Sequence, residues 1–236
     1  MSDSRKLSQP SPSNQIQSFL EQVAKAPAIA PNAGKGRLLF ALDATASREP
    51  TWQEARRLQA DMFDVAASSG GLAIQLCYYR GLADFFATPW LTQSRDLKAR
   101  MERVECLGGL TQIRRVLEHA VHEARRERVN AMVFIGDCVE EDADTLTHLA
   151  GQLGVLNTRV FLFQEGDEPT AERIFRQIAK LSGGAHCHFD AGSARQLGDL
   201  LGAVAAYAAG GQAALETYGR VRGGLALQLT HQIPKR

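Results

Sequence analysis

The chain has 236 residues, 44% of them apolar, and its 27 Lys and Arg residues nearly balance its 26 Asp and Glu residues. This length allows one sizeable core with short appendages. The net charge of +1 creates no overall field that would attract nucleic acid or an anionic membrane, so we expect neither as a partner. The four cysteines are scattered without a C-x-x-C pair, which argues against a zinc ribbon or a disulfide framework.

Residues 1 to 36 are predicted to lie outside the globular domain. Residues 1 to 13 are rich in Ser, Pro and Gln and should be disordered, because they offer little apolar surface to bury. A short amphipathic helix carries Ile16, Phe19, Leu20 and Val23 at helical spacing, and a linker of residues 27 to 36 follows it. The polar first residues, and the lack of any apolar run long enough to cross a bilayer, predict a cytoplasmic protein.

Residues 37 to 210 alternate between strand patterns and helix patterns. The predicted strands are an apolar run from Leu38 to Asp43, then Leu72 to Tyr79, a short edge strand at Phe85 and Phe86, Ala131 to Asp137, Arg159 to Gln164, and Ala185 to Phe189. The predicted helices are Thr51 to Ser68, Ser94 to Val104, Thr111 to Arg128, Asp142 to Leu153, Pro169 to Leu181, and Ala194 to Ala209. This alternation predicts an α/β domain whose mostly parallel sheet is covered by helices on both faces.

Residues 211 to 236 are predicted to form a C-terminal extension. Gly210 and Gly211 interrupt the last long helix pattern, and a short helical piece covers Gln212 to Tyr218. Beyond it, Leu225, Leu227 and Leu229 alternate as in an edge strand.

Two of the buried runs end at a carboxylate. The first ends at Asp43, which is followed at alternate positions by Thr45 and Ser47, and the second ends at Asp137. Thr111 follows a Gly-Gly-Leu turn in a third loop. Ligands of α/β sheets bind beyond the carboxyl ends of the strands, and hard cations such as Mg²⁺ prefer oxygen donors. The five side chains therefore predict a site for one Mg²⁺ or Mn²⁺ ion.

At these residues the sequence resembles the von Willebrand factor A domain family, whose metal-ion-dependent adhesion site combines Asp-x-Ser-x-Ser, a distant Thr and a distant Asp. Asp43-Ala44-Thr45-Ala46-Ser47 matches the first element with Thr in place of the first Ser. Leu107 to Thr111 looks like the loop with the distant Thr, although Leu110 separates Thr111 from the glycine pair, and Phe134 to Asp137 looks like the strand end with the last Asp.

The resemblance covers roughly residues 37 to 209 and implies a doubly wound sheet with one antiparallel edge strand. It also implies a divalent ion with an open coordination position, which an acidic side chain of a partner protein fills. Thr45, Ser47 and Thr111 would be hydroxyl ligands, while Asp43 and Asp137 would reach the ion directly or through water. The resemblance suggests an ATPase or chaperone machine as the partner, because cytoplasmic bacterial-type members are often coupled to such machines.

The principal alternative is an enzyme, a phosphohydrolase of the haloacid-dehalogenase type with Asp43 as nucleophile. That chemistry needs a second carboxylate two residues later as general acid, and Thr45 stands there and cannot supply a proton of the required acidity. The sequence also lacks phosphate-binding glycine motifs and a G-x-S-x-G elbow. We therefore expect a non-enzymatic adaptor.

A simpler interpretation of the acidic residues remains open. Asp43 and Asp137 could merely cap loops or helix ends, where a carboxylate is favourable. The acids that follow Asp137, namely Glu140, Glu141, Asp142 and Asp144, could form an acidic rim near the ion, but complements of a helix dipole explain them better. His186 and His188 share one face of a strand without a visible third ligand, so we expect half-buried strand residues there.

Overall fold

A computed structural model of the chain describes residues 35 to 67, 70 to 189 and 194 to 222. The predictions for residues 1 to 34, and for the alternating leucines after residue 222, lie outside the described residues. Gly36, predicted as the end of the linker, is instead the first residue of the first strand. Six strands form a single sheet in the order β3-β2-β1-β4-β5-β6. Their bounds are β1 Gly36–Asp43, β2 Leu72–Arg80, β3 Asp84–Ala87, β4 Ala131–Gly136, β5 Arg159–Glu165 and β6 Ala185–Phe189.

The sheet is mostly parallel, as the sequence predicts. Strand β1 pairs in parallel with both β2 and β4, and β5 extends the sheet to β6, also in parallel. Only β3 at the edge runs antiparallel to its neighbour β2 among the described strands. All eight positions of β1 are buried, as expected for a central strand covered on both faces.

Helices cover both faces of the sheet, which confirms the α/β doubly wound class. Within the described residues they are α1 Glu49–Ala67, α2 Ser94–Met101, α3 Ile113–Arg126, α4 Ala143–Val155, α5 Pro169–Ser182 and α6 Ala194–Arg222. Residues of α1, α2 and α6 form one apolar core with the sheet, and residues of α3, α4 and α5 form a second core on the opposite face. The side chains of β1 alternate between these cores, with Leu38 and Phe40 in the first and Leu39 and Ala41 in the second.

Several described helix ends differ from the predicted ones by one to three residues; α2, for example, ends at Met101 and not at the predicted Val104. Helix α3 begins at Ile113, because Thr111 and Gln112 belong to the preceding loop. The two predicted C-terminal helices both lie within α6 and meet at a kink at Gly211, whose φ of 67° is non-helical; the second continues to Arg222 and does not end at the predicted Tyr218. Glycine adopts such a backbone conformation at little cost, and the Gly-Gly pair separates the two helices as predicted. The described helices are all too short or too polar to traverse a lipid bilayer.

Candidate metal centre

Asp43 and Asp137 lie at the same edge of the sheet. Leu42 pairs with Ile135 in the β1–β4 register, so both strands end within a residue of each other. Asp43 is the last residue of β1, and Asp137 directly follows Gly136 at the end of β4. Because the strands are parallel, both carboxylates stand beyond their carboxyl ends, where ligands of α/β sheets bind.

The turn after β1 places two hydroxyls next to Asp43. The Thr45 backbone N–H donates to Asp43 Oδ1 at 2.7 Å, and a 3-10 turn over Ala46–Arg48 follows. The Thr45 and Ser47 hydroxyl oxygens are 3.4 Å apart. Asp43 is only 3% exposed and Thr45 is 8% exposed, while Ser47 is exposed to solvent. The turn therefore presents three oxygen-bearing side chains from the floor of the site to its rim.

Thr111 lies in a loop that is hydrogen-bonded to the turn after β1 and to the turn after β2. The Leu107 N–H donates to the Ala44 carbonyl at 3.0 Å, and the Leu110 N–H donates to the Gly81 carbonyl at 3.2 Å. Gly109 packs so closely on Gly81 that an added Cβ would lie 1.9 Å from the Gly81 carbonyl oxygen. This position therefore excludes any side chain.

Two acids after β4 bind the loop and helix on the Thr111 side. The Thr111 N–H donates to the Glu140 carboxylate at 2.9 Å, and the Thr111 hydroxyl accepts from the Glu140 N–H at 3.1 Å. Glu141 accepts from the N–H groups of Ile113 and Arg114 at 2.6 and 2.9 Å, so it caps α3. The sequence suggested that Glu140 and Glu141 serve the helix that follows them. The structure shows instead that they bind the Thr111 loop and the start of α3. Asp142 does serve the following helix, because it caps α4 by accepting from the Thr145 N–H.

The carboxylates of the site influence each other. Burial raises the pKa of Asp43, and the charge of Asp137 raises it further, whereas hydrogen bonds from Thr45 lower it. Burial also raises the pKa of Tyr79, the β2 neighbour of Asp43, well above its usual value, and the charge of Asp43 adds to this effect. A divalent cation would offset the electrostatic cost of holding two carboxylates together in a partly buried site.

Arg48 is the one cationic side chain that the described structure shows in contact with these candidate ligands. Its guanidinium Nη2 lies 3.1 Å from Asp137 Oδ2, and its Nε donates to the Ser47 hydroxyl at 3.4 Å. The other end of the guanidinium pairs with Glu165, the last residue of β5. The Thr51 hydroxyl also donates to Glu165.

The donor set of this edge fits a hard cation. It consists of two carboxylates and three hydroxyls, and Mg²⁺ binds well to a few such oxygens together with water. The Thr111 hydroxyl accepts one hydrogen bond and retains a second lone pair for an ion. The described parts of the chain contain no cluster of three or more His, Cys, Asp or Glu side chains that could hold a metal. An ion at this edge would therefore depend on the hydroxyls in addition to the two carboxylates.

The fold is shared with several solved structures. The VWA domain of SpRpn10 has a TM-score of 0.54 and 11% identity, covering 71% of this chain and 94% of that one. The von Willebrand factor type A protein of Catenulispora acidiphila has a TM-score of 0.58 and 16% identity, covering 75% and 43%. The chain has the von Willebrand factor A fold. No family model matches the sequence, and no curated protein matches it either.

A third structure with the von Willebrand factor A fold contains a metal. Proximal thread matrix protein 1 from the mussel byssus, solved with a zinc-occupied MIDAS motif, has a TM-score of 0.57 and 16% identity. The similarity covers 77% of this chain and 48% of that one. A divalent ion is therefore known in one protein that shares this fold.

Two polar side chains that shape the site, Arg48 and Glu165, were not predicted from the sequence. Arg48 directly follows Ser47, and Glu165 ends β5 at the same sheet edge, so the strand-end argument applied to β5 would have found Glu165. Glu140 and Glu141 stand in the sequence as candidates for an acidic rim, although their position before a helix favours a role at its dipole. Their partners lie about 28 residues earlier in the chain, which local sequence patterns do not indicate.

Proposed function

We propose that this chain is a metal-ion-dependent protein–protein interaction module, an adaptor without catalytic activity. One Mg²⁺ or Mn²⁺ ion binds Asp43, Thr45, Ser47, Thr111 and Asp137, directly or through water. An Asp or Glu side chain of a partner protein fills the open coordination position. Mg²⁺ commonly keeps several exchangeable water ligands, so one of them can be replaced by a carboxylate from outside.

The observation that supports the proposal most strongly is the arrangement of the Asp43 turn. A buried carboxylate at the end of a central strand is followed by two hydroxyls 3.4 Å apart, with a second carboxylate close enough to raise the Asp43 pKa. A capping role alone needs one carboxylate and a backbone N–H, as Asp142 illustrates. It does not account for two hydroxyls and a second acid at the same edge.

Exposed leucines beside the site support a role in protein binding. Leu82, Leu107 and Leu110 are 77%, 44% and 52% exposed, and they belong to two loops joined by backbone hydrogen bonds at Gly81. Apolar side chains at a rim favour a protein partner over a small ion alone. The resemblance noted in the sequence suggests an ATPase or chaperone machine as that partner.

Titration with Mn²⁺ by isothermal calorimetry tests the metal site. We expect one ion to bind the wild type, and Asp43→Ala to weaken binding at least about tenfold. Asp43→Asn keeps the shape and the acceptor for the Thr45 N–H, so it separates loss of charge from loss of the turn. Asp61→Ala, which removes an exposed carboxylate from α1, is the matched control and should bind as the wild type does. Equal Mn²⁺ binding by Asp43→Ala and a wild type that measurably binds the ion would refute the site.

Affinity purification from the native host tests the adaptor function. The full chain should retain a partner with Mg²⁺ and lose it both with EDTA and in the Asp43→Ala variant. Mass spectrometry would then show whether the retained protein is an ATPase or a chaperone. A partner that is retained equally in EDTA would contradict a metal-dependent mode of binding.

A further inference from the structure

Arg48 contacts candidate ligands of the metal centre and also pairs with Glu165, which is not one of them. Its guanidinium pairs with Asp137 at 3.1 Å and with Glu165, and its Nε donates to Ser47 at 3.4 Å. Only 11% of its side chain and 14% of that of Glu165 are exposed, so little water separates these charges. The backbone also restrains Arg48, because its N–H donates to the Thr45 carbonyl at 2.9 Å.

A guanidinium and a divalent ion compete for the same carboxylate. Both are cations that Asp137 can neutralise, and they repel each other when both are close to it. The guanidinium pairs with Oδ2 of Asp137, so an ion that binds this carboxylate either displaces the guanidinium or stands close to its positive charge. Glu165 does not belong to the candidate ligand set, and the Thr51 hydroxyl also binds it, so it keeps Arg48 nearby after such a displacement. Arg48 therefore influences the affinity of the site for the ion both while it pairs with Asp137 and after an ion has displaced it.

We propose that Arg48 is an internal counter-ion of the metal centre, which neutralises Asp137 when no ion is bound and lowers the affinity of the site for divalent cations. The inference rests on the proposed function for the identity of the competing ligand. Its consequence is that the protein alone binds the ion weakly. A partner's carboxylate adds a negative charge to the ion, so ion and partner bind more tightly together than either does alone.

Calorimetric titration of the full chain with Mn²⁺ tests this inference through affinity. Arg48→Gln removes the charge and keeps a side chain that can donate a hydrogen bond, and we expect it to bind Mn²⁺ about tenfold more tightly than the wild type. The matched control is Arg57→Gln. It removes an exposed arginine of α1 that pairs with Glu54, and its affinity should equal that of the wild type.

A measurement on the wild type covers the case in which Arg48→Gln does not fold. The Nε–Hε resonance of Arg48, observed by NMR, should shift during titration with Mg²⁺ and saturate together with ion binding, because the ion changes the charge and the contacts beside the guanidinium. An unshifted resonance in a protein that binds Mg²⁺ would overturn the inference.

The outcomes separate this inference from the proposed function. If wild type and Arg48→Gln bind Mn²⁺ equally, Arg48 is not a competitor, and the metal site itself stands. If neither binds Mn²⁺, the metal site is refuted and the inference with it. If Arg48→Gln binds Mn²⁺ more tightly than the wild type and Arg57→Gln binds it as the wild type does, the metal site and the role of Arg48 are both supported. This holds also when wild-type binding is too weak to detect.

Discussion

Thr111 and Glu140 form a reciprocal pair of hydrogen bonds: the Thr111 N–H donates to the Glu140 carboxylate at 2.9 Å, and the Glu140 N–H donates to the Thr111 hydroxyl at 3.1 Å. The pair joins the loop before α3 to the loop after β4. It fixes the position of the Thr111 hydroxyl relative to Asp137, three residues before Glu140. The position of one candidate ligand thus depends on a side chain outside the ligand set.

Glu140→Ala should weaken Mn²⁺ binding about tenfold, because residues that orient a ligand affect metal affinity nearly as much as the ligand does. Calorimetric titration measures the change. Glu140→Gln is the informative control, since its amide oxygen can still accept from the Thr111 N–H while the charge is gone. If both variants lose affinity equally, Glu140 acts through its charge, and the positioning role assigned to the hydrogen bonds is wrong.

Thr45→Val should lower Mn²⁺ affinity about tenfold, because it removes a ligand hydroxyl and keeps the side-chain shape. Thr45 is only 8% exposed, so valine fits the same space. Thr45→Ser keeps the hydroxyl and loses the methyl group, and its affinity should stay within about threefold of the wild type. The same titration compares the three proteins. A Thr45→Val protein with wild-type affinity would remove Thr45 from the ligand set.

Gly109→Ala should destabilise the domain by about 1–3 kcal/mol and weaken Mn²⁺ binding, since its Cβ would lie 1.9 Å from the Gly81 carbonyl oxygen. Relieving this clash moves the loop that carries Thr111 and breaks the bond from the Leu110 N–H to Gly81. Chemical denaturation measures the free energy of unfolding, and calorimetry measures the affinity.

The adjacent glycine provides a matched control for that variant. A Cβ at Gly108 would meet no described atom within 4 Å, so Gly108→Ala should leave both the stability and the affinity unchanged. If Gly108→Ala proved as harmful as Gly109→Ala, the effect would come from loop flexibility and not from the close contact with Gly81.

The fold was predictable because its central strand is marked so clearly in the sequence. All eight residues of β1 are buried, and an apolar run that ends at Asp43 is the expected pattern for such a strand. Asp137 follows β4 in the same way, so the position of both acids at one edge follows from parallel pairing alone. The antiparallel direction of the edge strand came from the family resemblance, and the order of the strands was known only from the structure.

The contacts around the site were not predictable in the same way. Arg48 pairs with residues 89 and 117 positions away, Asp137 and Glu165, through the conformation of a three-residue 3-10 turn. Helix α3 starts later than its apolar pattern suggested because Glu141 supplies its cap from another loop. Side-chain contacts between distant loops leave no periodic signal in the sequence, since periodicity reports only which face of an element is buried.

His186 should make the protein less stable in acid. Its ring lies 3.0 Å from the Gln164 side-chain oxygen and packs edge-on against His188, with a ring-centroid distance of 5.0 Å. Burial, together with smaller contributions from His188 and Arg176, lowers the pKa of His186 to about 3. Glu172, the acid facing this group, pairs with Arg176 and His188. The folded protein therefore holds His186 neutral.

The sign of the effect follows from this lowered pKa. The unfolded chain takes up a proton on His186 as the pH falls below about 6.5, whereas the folded chain does so only near its pKa of about 3. The stability from neutral His186 is complete above the unfolded pKa and is lost progressively as the pH falls towards 3. Between about pH 7 and about pH 4.5, we expect this one group to remove roughly 2 kcal/mol from the free energy of unfolding.

Urea denaturation of wild type and His186→Gln at the two pH values measures this contribution. Carboxylates also titrate in this range, so the informative quantity is the difference between the two proteins. His186→Gln should lose less stability on acidification than the wild type, because glutamine takes up no proton. His122→Gln, a change at an exposed position of α3, should lose as much as the wild type. Parallel losses in wild type and His186→Gln would show that the buried imidazole is not the acid-sensitive group.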